Sequence, residues 1–470
     1  MPIRPLALLP VLLVAGCAVG PEPRTPAPAE IGVPAAFATP APSSATASEV
    51  AAWWRSFDDP ALTTLVERAL AANTDVQVAG ARVRQARAAL RAERSAFWPS
   101  VGASVSATRR EADGGATADR TTYAGGFDAA YELDLFGGIR RAAQAAAADA
   151  QGAEADLHTV QLAVAAEVAL NYVDARLAQR RLAIARSNLA SQDETLQIVG
   201  WRVQAGLAAS LDYEQARQLR AQTAATIPLR EQAWTQAVNR LAVLIGEAPG
   251  GVAAQLGTEA DVPLAAVPAA GVPADVLRRR PDVARAERSL AAETARIGVR
   301  QADLYPALRL SGTFAGVGTS LSRASDGAIG SLVAGITAPL FEGGRLRAAL
   351  EGQRASAAAA YANYRGAVLA ALEDTENALF AVGATERREA DLVVAEEAAR
   401  NATVLARSRY ASGLIDFEQL LESERSLLVS EDARASARAD RAAALVQLYK
   451  ALGGGWEAAP PPATLTRSTP

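Results

Sequence analysis

Cysteine and histidine, common carriers of covalent and metal chemistry, are almost absent from this chain. Its 470 residues include one cysteine, Cys17, and one histidine, His158. A metal site would have to be built from carboxylates, and cysteine–histidine chemistry is excluded unless those two residues meet. There is no phosphate loop with Gly-Lys-Ser/Thr, no nucleophile elbow, no zinc pair and no dinucleotide fingerprint. Gly316-Val317-Gly318 reads as a turn near a strand end, and His158 as a surface or seam residue of a long helix. The chemistry that remains is electrostatic. Glu418 and Glu422 stand four residues apart on an expected helix, a like-charge pair that repels by a few tenths of a kcal/mol. Arg425 lies three residues beyond Glu422 and can offset that repulsion. By itself such a run reads as a solvated charged helix face; if copies of the chain met on an axis, facing carboxylates there would attract cations and raise one another's pKa.

The elements that must position these groups begin with an export signal. Arg4 supplies a positive charge, and Leu6 to Val14 is an apolar run too short to cross a bilayer as a helix. Ala15 and Gly16 follow, completing the three parts of a secretory signal peptide. Val14-Ala15-Gly16-Cys17 resembles a bacterial lipobox, which implies cleavage before Cys17 and acylation of its thiol and new amino group. Acyl chains contribute about 0.8 kcal/mol per buried CH₂, so a multiply acylated terminus anchors firmly. Ala18 comes next, not Asp; by the same resemblance this favours the outer membrane over the inner one. From Ala18 to about Ser48 the chain is rich in Pro, Ala, Ser and Thr, which favours an extended tether without a core of its own.

Composition narrows the rest. The length fits roughly two to four domains. Hydrophobic residues make up 50% of the chain, but alanine supplies much of that and aromatics only 5%. This argues against a thick globular core and suits close helix–helix seams. A net charge of −4 with no basic run gives no sign of a nucleic-acid partner.

The chain also repeats itself. "NTDVQVAGARVRQARAALRAERSAFWPSV" starts at Asn73 and "RPDVARAERSLAAETARIGVRQADLYPAL" at Arg280. Asp75 answers Asp282, and Gly206 of "RVQAG" answers Gly413 of "RYASG", both at an offset of 207 (282 against 75, 413 against 206). Each half reads as a helix, a strand pair and a very long helix pair. Proline is missing between Pro99 and Pro228 and between Pro339 and Pro460, as long helices require. The stretch before "QAG" allows on the order of 90 Å of helix. Val168, Ala175, Leu182, Leu189, Leu196 and Val203 recur at a coiled-coil spacing. Gly206 and Gly413 break the runs, and Asp212 and Asp416 are the expected caps of the returning helices. A soluble coiled-coil scaffold would fit this part equally well.

The strands bear on whether the chain enters a membrane: their alternation fits either lipid or an ordinary protein core, and the export signal and lipobox favour the membrane. Phe127, Ala129, Tyr131, Leu133 and Leu135 alternate with Asp128, Ala130, Glu132 and Asp134. Val101 to Ala107, Leu308 to Phe314 and Leu332 to Leu340 alternate in the same way. Each run has the length of a tilted membrane strand, about 9–11 residues. Trp98, Tyr123, Phe136, Tyr305 and Phe341 mark the ends. Four strands cannot close a barrel, and an open edge in lipid leaves backbone groups unpaired at several kcal/mol each. Spanning strands therefore require an oligomer. Two copies give eight strands with a filled bore and three give twelve with room for water, and physics alone leaves both open.

In order along the chain, "VAGC", "WWRSFDDPALTTLVERAL", "RRRPDVARAE", the Trp98-Pro99 and Tyr305-Pro306 strand starts, "LFGG" and "LFEGG", and "RYASGLIDFEQLLESERSLL" resemble one group. It is the NodT/OprM branch of the TolC-like outer-membrane efflux lipoproteins, which serve RND-type pumps. The resemblance implies an α+β membrane protein and a homotrimer. Four transmembrane strands per chain would contribute to a twelve-stranded barrel continuous with a periplasmic barrel of helical hairpins. The partners it implies are a periplasmic adaptor, an inner-membrane RND pump and outer-membrane lipid. The protein would be a passive exit duct for small molecules, with no cofactor and no enzymatic activity. Gly206, Asp212, Gly413 and Asp416 would form the adaptor-docking tips, and Glu418, Glu422 and Arg425 the periplasmic gate. Glu422 stands where Asp is usual in the family and Glu418 where an apolar residue is common, so the constriction expected here is charged rather than apolar.

The organisation expected is a signal peptide over 1–16, a lipidated tether over 17–52 and a first repeat over 53–250. That repeat would hold strands near 100–108 and 124–136 and a hairpin near 139–245. A linker over 251–272 and a second repeat over 273–455 follow, with strands near 307–317 and 331–341 and a hairpin near 345–452. A tail over 456–470 ends the chain. The rival readings are a TolC-like channel for type I protein secretion and the lipid-tethered periplasmic scaffold.

Overall fold

The computed structural model describes residues 18–39, 51–110, 120–257, 260–268, 273–320, 322–323 and 327–454. The expected signal peptide, Cys17 and the tail over 456–470 lie outside the described residues. Helix α1 (Pro60–Ala72) is set by Asp59, whose carboxylate accepts from the backbone of Ala61 and Leu62, with Pro60 at the first helical position. Then come α2 (Thr74–Ser95), β1 (Ser100–Arg110), β2 (Arg120–Leu133), α3 (Gly138–Gln204) and α4 (Ser210–Leu244). After a short α5 (Pro273–Arg279) the order repeats in α6 (Pro281–Ala302), β3 (Ala307–Gly318), β4 (Ile329–Thr337), α7 (Arg345–Ala411) and α8 (Phe417–Ala451). The long helices α3 and α7 have 67 residues each, and α4 and α8 have 35 each. At 1.5 Å per residue, α3 and α7 are about 100 Å long. None of the helices among the described residues is long and apolar enough to cross a membrane.

The chain divides into two compact units. One draws on residues 1–27, 81–154 and 284–367, the other on 28–80, 155–283 and 368–470. The first contains a four-stranded antiparallel sheet in the order β1-β2-β3-β4, with one side of β1 and one side of β4 unpaired. Its register places Val101 opposite Ala129, Phe127 opposite Phe314, and Leu308 opposite Ile336. One face is therefore apolar, and it is bare: Val105 is 80% exposed and Leu332 82%. The other face carries Ser104, Thr108, Asp128, Glu132, Arg309, Thr313 and Ser331. Among the described residues nothing packs on that face. Gly126 permits the close pairing of β2 and β3, because a Cβ there would lie 2.6 Å from that of Ala315.

Two strands end before the expected spans do. β2 stops at Leu133 because Asp134 turns to cap α3, accepting from the backbone of Ile139 and Arg140, so Leu135 and Phe136 leave the ladder. β4 ends at Thr337 because Pro339 has no N–H to donate, which leaves Leu340 and Phe341 outside it.

The second unit is built around Trp53, which is fully buried and stacks on Tyr449 at 5.5 Å. Leu62, Leu65 and Val66 of α1 pack with Val168 and Tyr172 of α3, Leu241 of α4, and Leu445 and Leu448 of α8. The Tyr172 hydroxyl donates to Asp59 at 2.5 Å and accepts from Arg176 at 2.8 Å, tying the segment before α1 to α3. Burial, and next the Asp59 carboxylate, push the Tyr172 hydroxyl well above the ordinary tyrosine value.

The expected seam on α3 holds at Val168 and Ala175, which are buried. Leu182, Leu189, Leu196 and Val203 are only half-buried. Farther along α3 the buried line passes through Ile184, Gln192, Thr195 and Val199. Two of these four are polar, so the apolar pattern ran beside the true contact face. Pro228 lies inside α4 rather than ending it, at an exposed position.

Residues 18–39, read as an extended tether, lie against folded partners. In the first unit the Val19 N–H donates to the Phe136 carbonyl at 3.0 Å and Thr25 to Glu287 at 2.6 Å. In the second, Glu376 accepts from the backbone of Ala38 and Thr39.

Candidate functional site

The helical turns after α3 and α7 are built alike. Gly206 has φ +72° and Gly413 φ +71°, a region open mainly to glycine. Around Gly206 the Leu207 N–H donates to the Arg202 carbonyl at 2.7 Å, and around Gly413 the Leu414 N–H donates to that of Arg409 at 2.9 Å. Each turn thus closes its helix with a Schellman motif. The returning helices differ. Asp416 caps α8 by accepting from the Gln419 N–H at 3.1 Å. Asp212 does not cap α4: the chain enters that helix three residues earlier, Ala209 takes the cap position, and Asp212 sits in the first turn. There its charge still favours the positive helix end.

Behind the turns lies a small core of Val199, Ala216, Leu219, Tyr410, Phe417, Leu420 and Leu421. Arg202 lies over the Tyr410 ring at 4.6 Å and donates to the Tyr410 carbonyl at 2.7 Å, joining the ends of α3 and α7. The Tyr410 hydroxyl is buried, with no hydrogen-bond partner within ordinary hydrogen-bond limits among the described residues. Burial raises its pKa; Arg202 works against that rise and Asp212 adds to it.

Glu418, Glu422 and Arg425 are all exposed and share one face of α8, opposite Phe417, Leu420, Leu421 and Glu424. They make no ion pair with one another. Farther along α8 Val429 is 67% exposed, and in the turn before the helix Leu414 is 74% exposed. Glu424 is the acidic residue that the pattern did not flag. Only 4% exposed, it accepts from Thr195 of α3 at 2.9 Å and from Arg407 of α7 at 3.1 and 2.9 Å. One carboxylate thereby links three helices. The available signal was its spacing, three residues after Leu421 and four after Leu420, which puts it on the apolar face. His158 is half-buried on α3, with its Nδ1 at 3.0 Å from Gln161 Oε1. It has no part in the turn clusters.

The sheet offers a second lining surface. On its polar face Arg309 donates to Glu132 across the strands at 2.9 Å, and Thr313 and Ser331 share a hydrogen bond of 2.7 Å.

This amphipathic open sheet, combined with paired long hairpins, matches a known family. The outer membrane efflux protein model fits residues 65–247 and again 272–454, two segments offset by 207 residues (272 against 65). The chain belongs to the outer membrane efflux protein family. The pyoverdine export outer membrane protein OpmQ of Pseudomonas putida is 33% identical over 97% of this chain and 99% of its own. Nodulation protein T of Rhizobium leguminosarum bv. trifolii is 34% identical over 95% of this chain and 96% of its own. The solved structure of the outer-membrane channel OprN superposes with a TM-score of 0.83 at 39% identity, covering 94% of this chain and all of that one. As an outer membrane efflux protein, the chain is a channel component of the outer membrane with a helical periplasmic extension. In a membrane barrel built from such sheets, an apolar face meets lipid and a polar face lines the interior.

Proposed function

We propose that this outer membrane efflux protein is the exit duct of a tripartite RND-type assembly. It works as a homotrimer with a periplasmic adaptor and an inner-membrane pump, and passively exports small molecules. The observation that carries this is the sheet, with four amphipathic strands and both edges unpaired. Unpaired ladder groups in lipid cost several kcal/mol each, so neighbouring copies must supply the missing partners. Twelve strands leave room for water where eight fill with side chains, and export favours twelve. The similarity to a pyoverdine exporter supports small organic cargo. The energy for transport belongs to the pump, and the duct itself performs no catalysis.

The same proposal covers processing and docking. Residues 1–16 are removed as a signal peptide, and Cys17 carries lipid at the head of the 17–52 segment. The two repeats occupy 53–250 and 273–455. The turns at Gly206, Asp212, Gly413 and Asp416 dock the adaptor, and Glu418, Glu422 and Arg425 form a charged gate on the shared axis. Native mass measurement of the detergent-solubilised protein tests the reading. A complex of three chains is expected, and a stable single chain in water without detergent would end it.

A further inference from the structure

The polar sheet face is uneven in charge. At one end Arg110 of β1 stands opposite Arg120 of β2, and at the other Glu132 is neutralised by Arg309. Between them one register row runs across all four strands: Gly102, Asp128, Thr313 and Ser331. Asp128 is the single charged side chain in that row. The rows on either side hold Ser104, Gly126, Ala315 and Ile329, and Ser100, Ala130, Ser311 and Val333, none of them charged. The carboxylate is exposed and lies across the neighbouring strand, where a Cβ on Gly102 would meet both of its oxygens at 2.9 Å. Glycine there gives the acid space to lie flat, and small or hydroxyl neighbours leave its field open.

We infer that Asp128, repeated in every copy, forms a negative band part-way along the strand-lined passage. Positively charged solutes are concentrated there and anionic ones held off, which makes Asp128 a charge-specificity residue of the duct. This rests on the reading that the polar face lines the passage. Thr313 and Ser331, in the same row, are the hydroxyls a solute at the band would meet.

The sole native cysteine, Cys17, lies far from this row in sequence, so an introduced thiol gives a clean probe. Thr313→Cys, directly opposite Asp128, is placed in otherwise native protein in outer-membrane vesicles. Its modification rates by a cationic and an anionic methanethiosulfonate are compared at low ionic strength. Facing pairs put a carboxylate about 6 Å from that thiol, a separation worth about threefold per unit reagent charge in water. Asp128→Asn and Asp128→Ser should each lower the cation-to-anion rate ratio about tenfold, and Asp128→Glu should restore it. An unchanged ratio in both neutral variants overturns the band and leaves the duct standing. The duct reading itself fails if Thr313→Cys is inert to both reagents while Leu332→Cys, on the apolar face, reacts.

Discussion

Replacing Glu424 by alanine should loosen the turns at Gly206 and Gly413 without unfolding the rest of the protein. The carboxylate is buried and holds Thr195 and Arg407 together. Hydrogen bonds to a charged group contribute about 1.5–3 kcal/mol, and stranding a fully buried partner costs about 3–5. Here the stranded charge is eased, because the Arg407 side chain is 39% exposed and can turn to water. Thr195 can turn its hydroxyl proton to the Ser191 carbonyl, 3.1 Å away. The loss should therefore be about 2–3 kcal/mol, a thirty- to hundredfold rise in local opening, at about tenfold per 1.4 kcal/mol. Hydrogen exchange read by mass spectrometry on peptides spanning 191–204 and 403–424 measures it directly. Glu424→Gln, which keeps the shape, should show a smaller rise. Glu422→Ala, two residues away but exposed, should stay within about 0.5 kcal/mol of the parent. Equal protection in the alanine variant and the parent would refute the claim that this carboxylate binds the three helices.

Gly126→Val should abolish assembly in the outer membrane, since its Cβ would fall 2.6 Å from both the Ala315 Cβ and the Phe314 carbonyl oxygen; heat-modifiable mobility on gels reads this. Asp282 accepts from Arg280 at 3.0 and 2.6 Å; burial pushes its pKa up, but the guanidinium outweighs it and holds the carboxyl below its ordinary 3.8. The folded state then binds fewer protons than the unfolded one, so this stabilisation is full above about 3.8 and fades as pH falls further. The melting-temperature gap between the parent and Asp282→Asn should therefore be level near neutrality and close in acid. Glu418→Ala combined with Glu422→Ala should change single-channel conductance and reduce cation preference, and unaltered values would count against the gate. Cys17→Ser protein should still need detergent for extraction, because the strands remain.

Periodicity exposed the long helices and strands because their patterns repeat over many residues. Gly206 and Gly413 were legible because a positive φ leaves few other choices. The seam on α3 drifted from the expected line because Gln192 and Thr195 occupy buried positions that an apolar template skips. Asp212 and Asp416 look equivalent in sequence, yet an earlier start of α4 gives the cap to Ala209. Glu424 was hidden for a related reason. Its burial depends on Arg407, 17 residues away, and Thr195, 229 residues away, and no local pattern reports such partners. Likewise the proline-rich segment shows no periodicity of its own, although Glu376 and the Phe136 carbonyl fix its course.

The bare flanks of β1 and β4 carry a genetic consequence. In the proposed assembly, a ladder finished only by a sister molecule makes each polypeptide's last folding step hostage to the quality of its companions. An allele that spoils one flank, such as Val105→Pro, should therefore be dominant over a normal allele in the same cell, since most mixed assemblies would inherit at least one faulty seam. A null allele, which contributes no faulty copies, should be recessive.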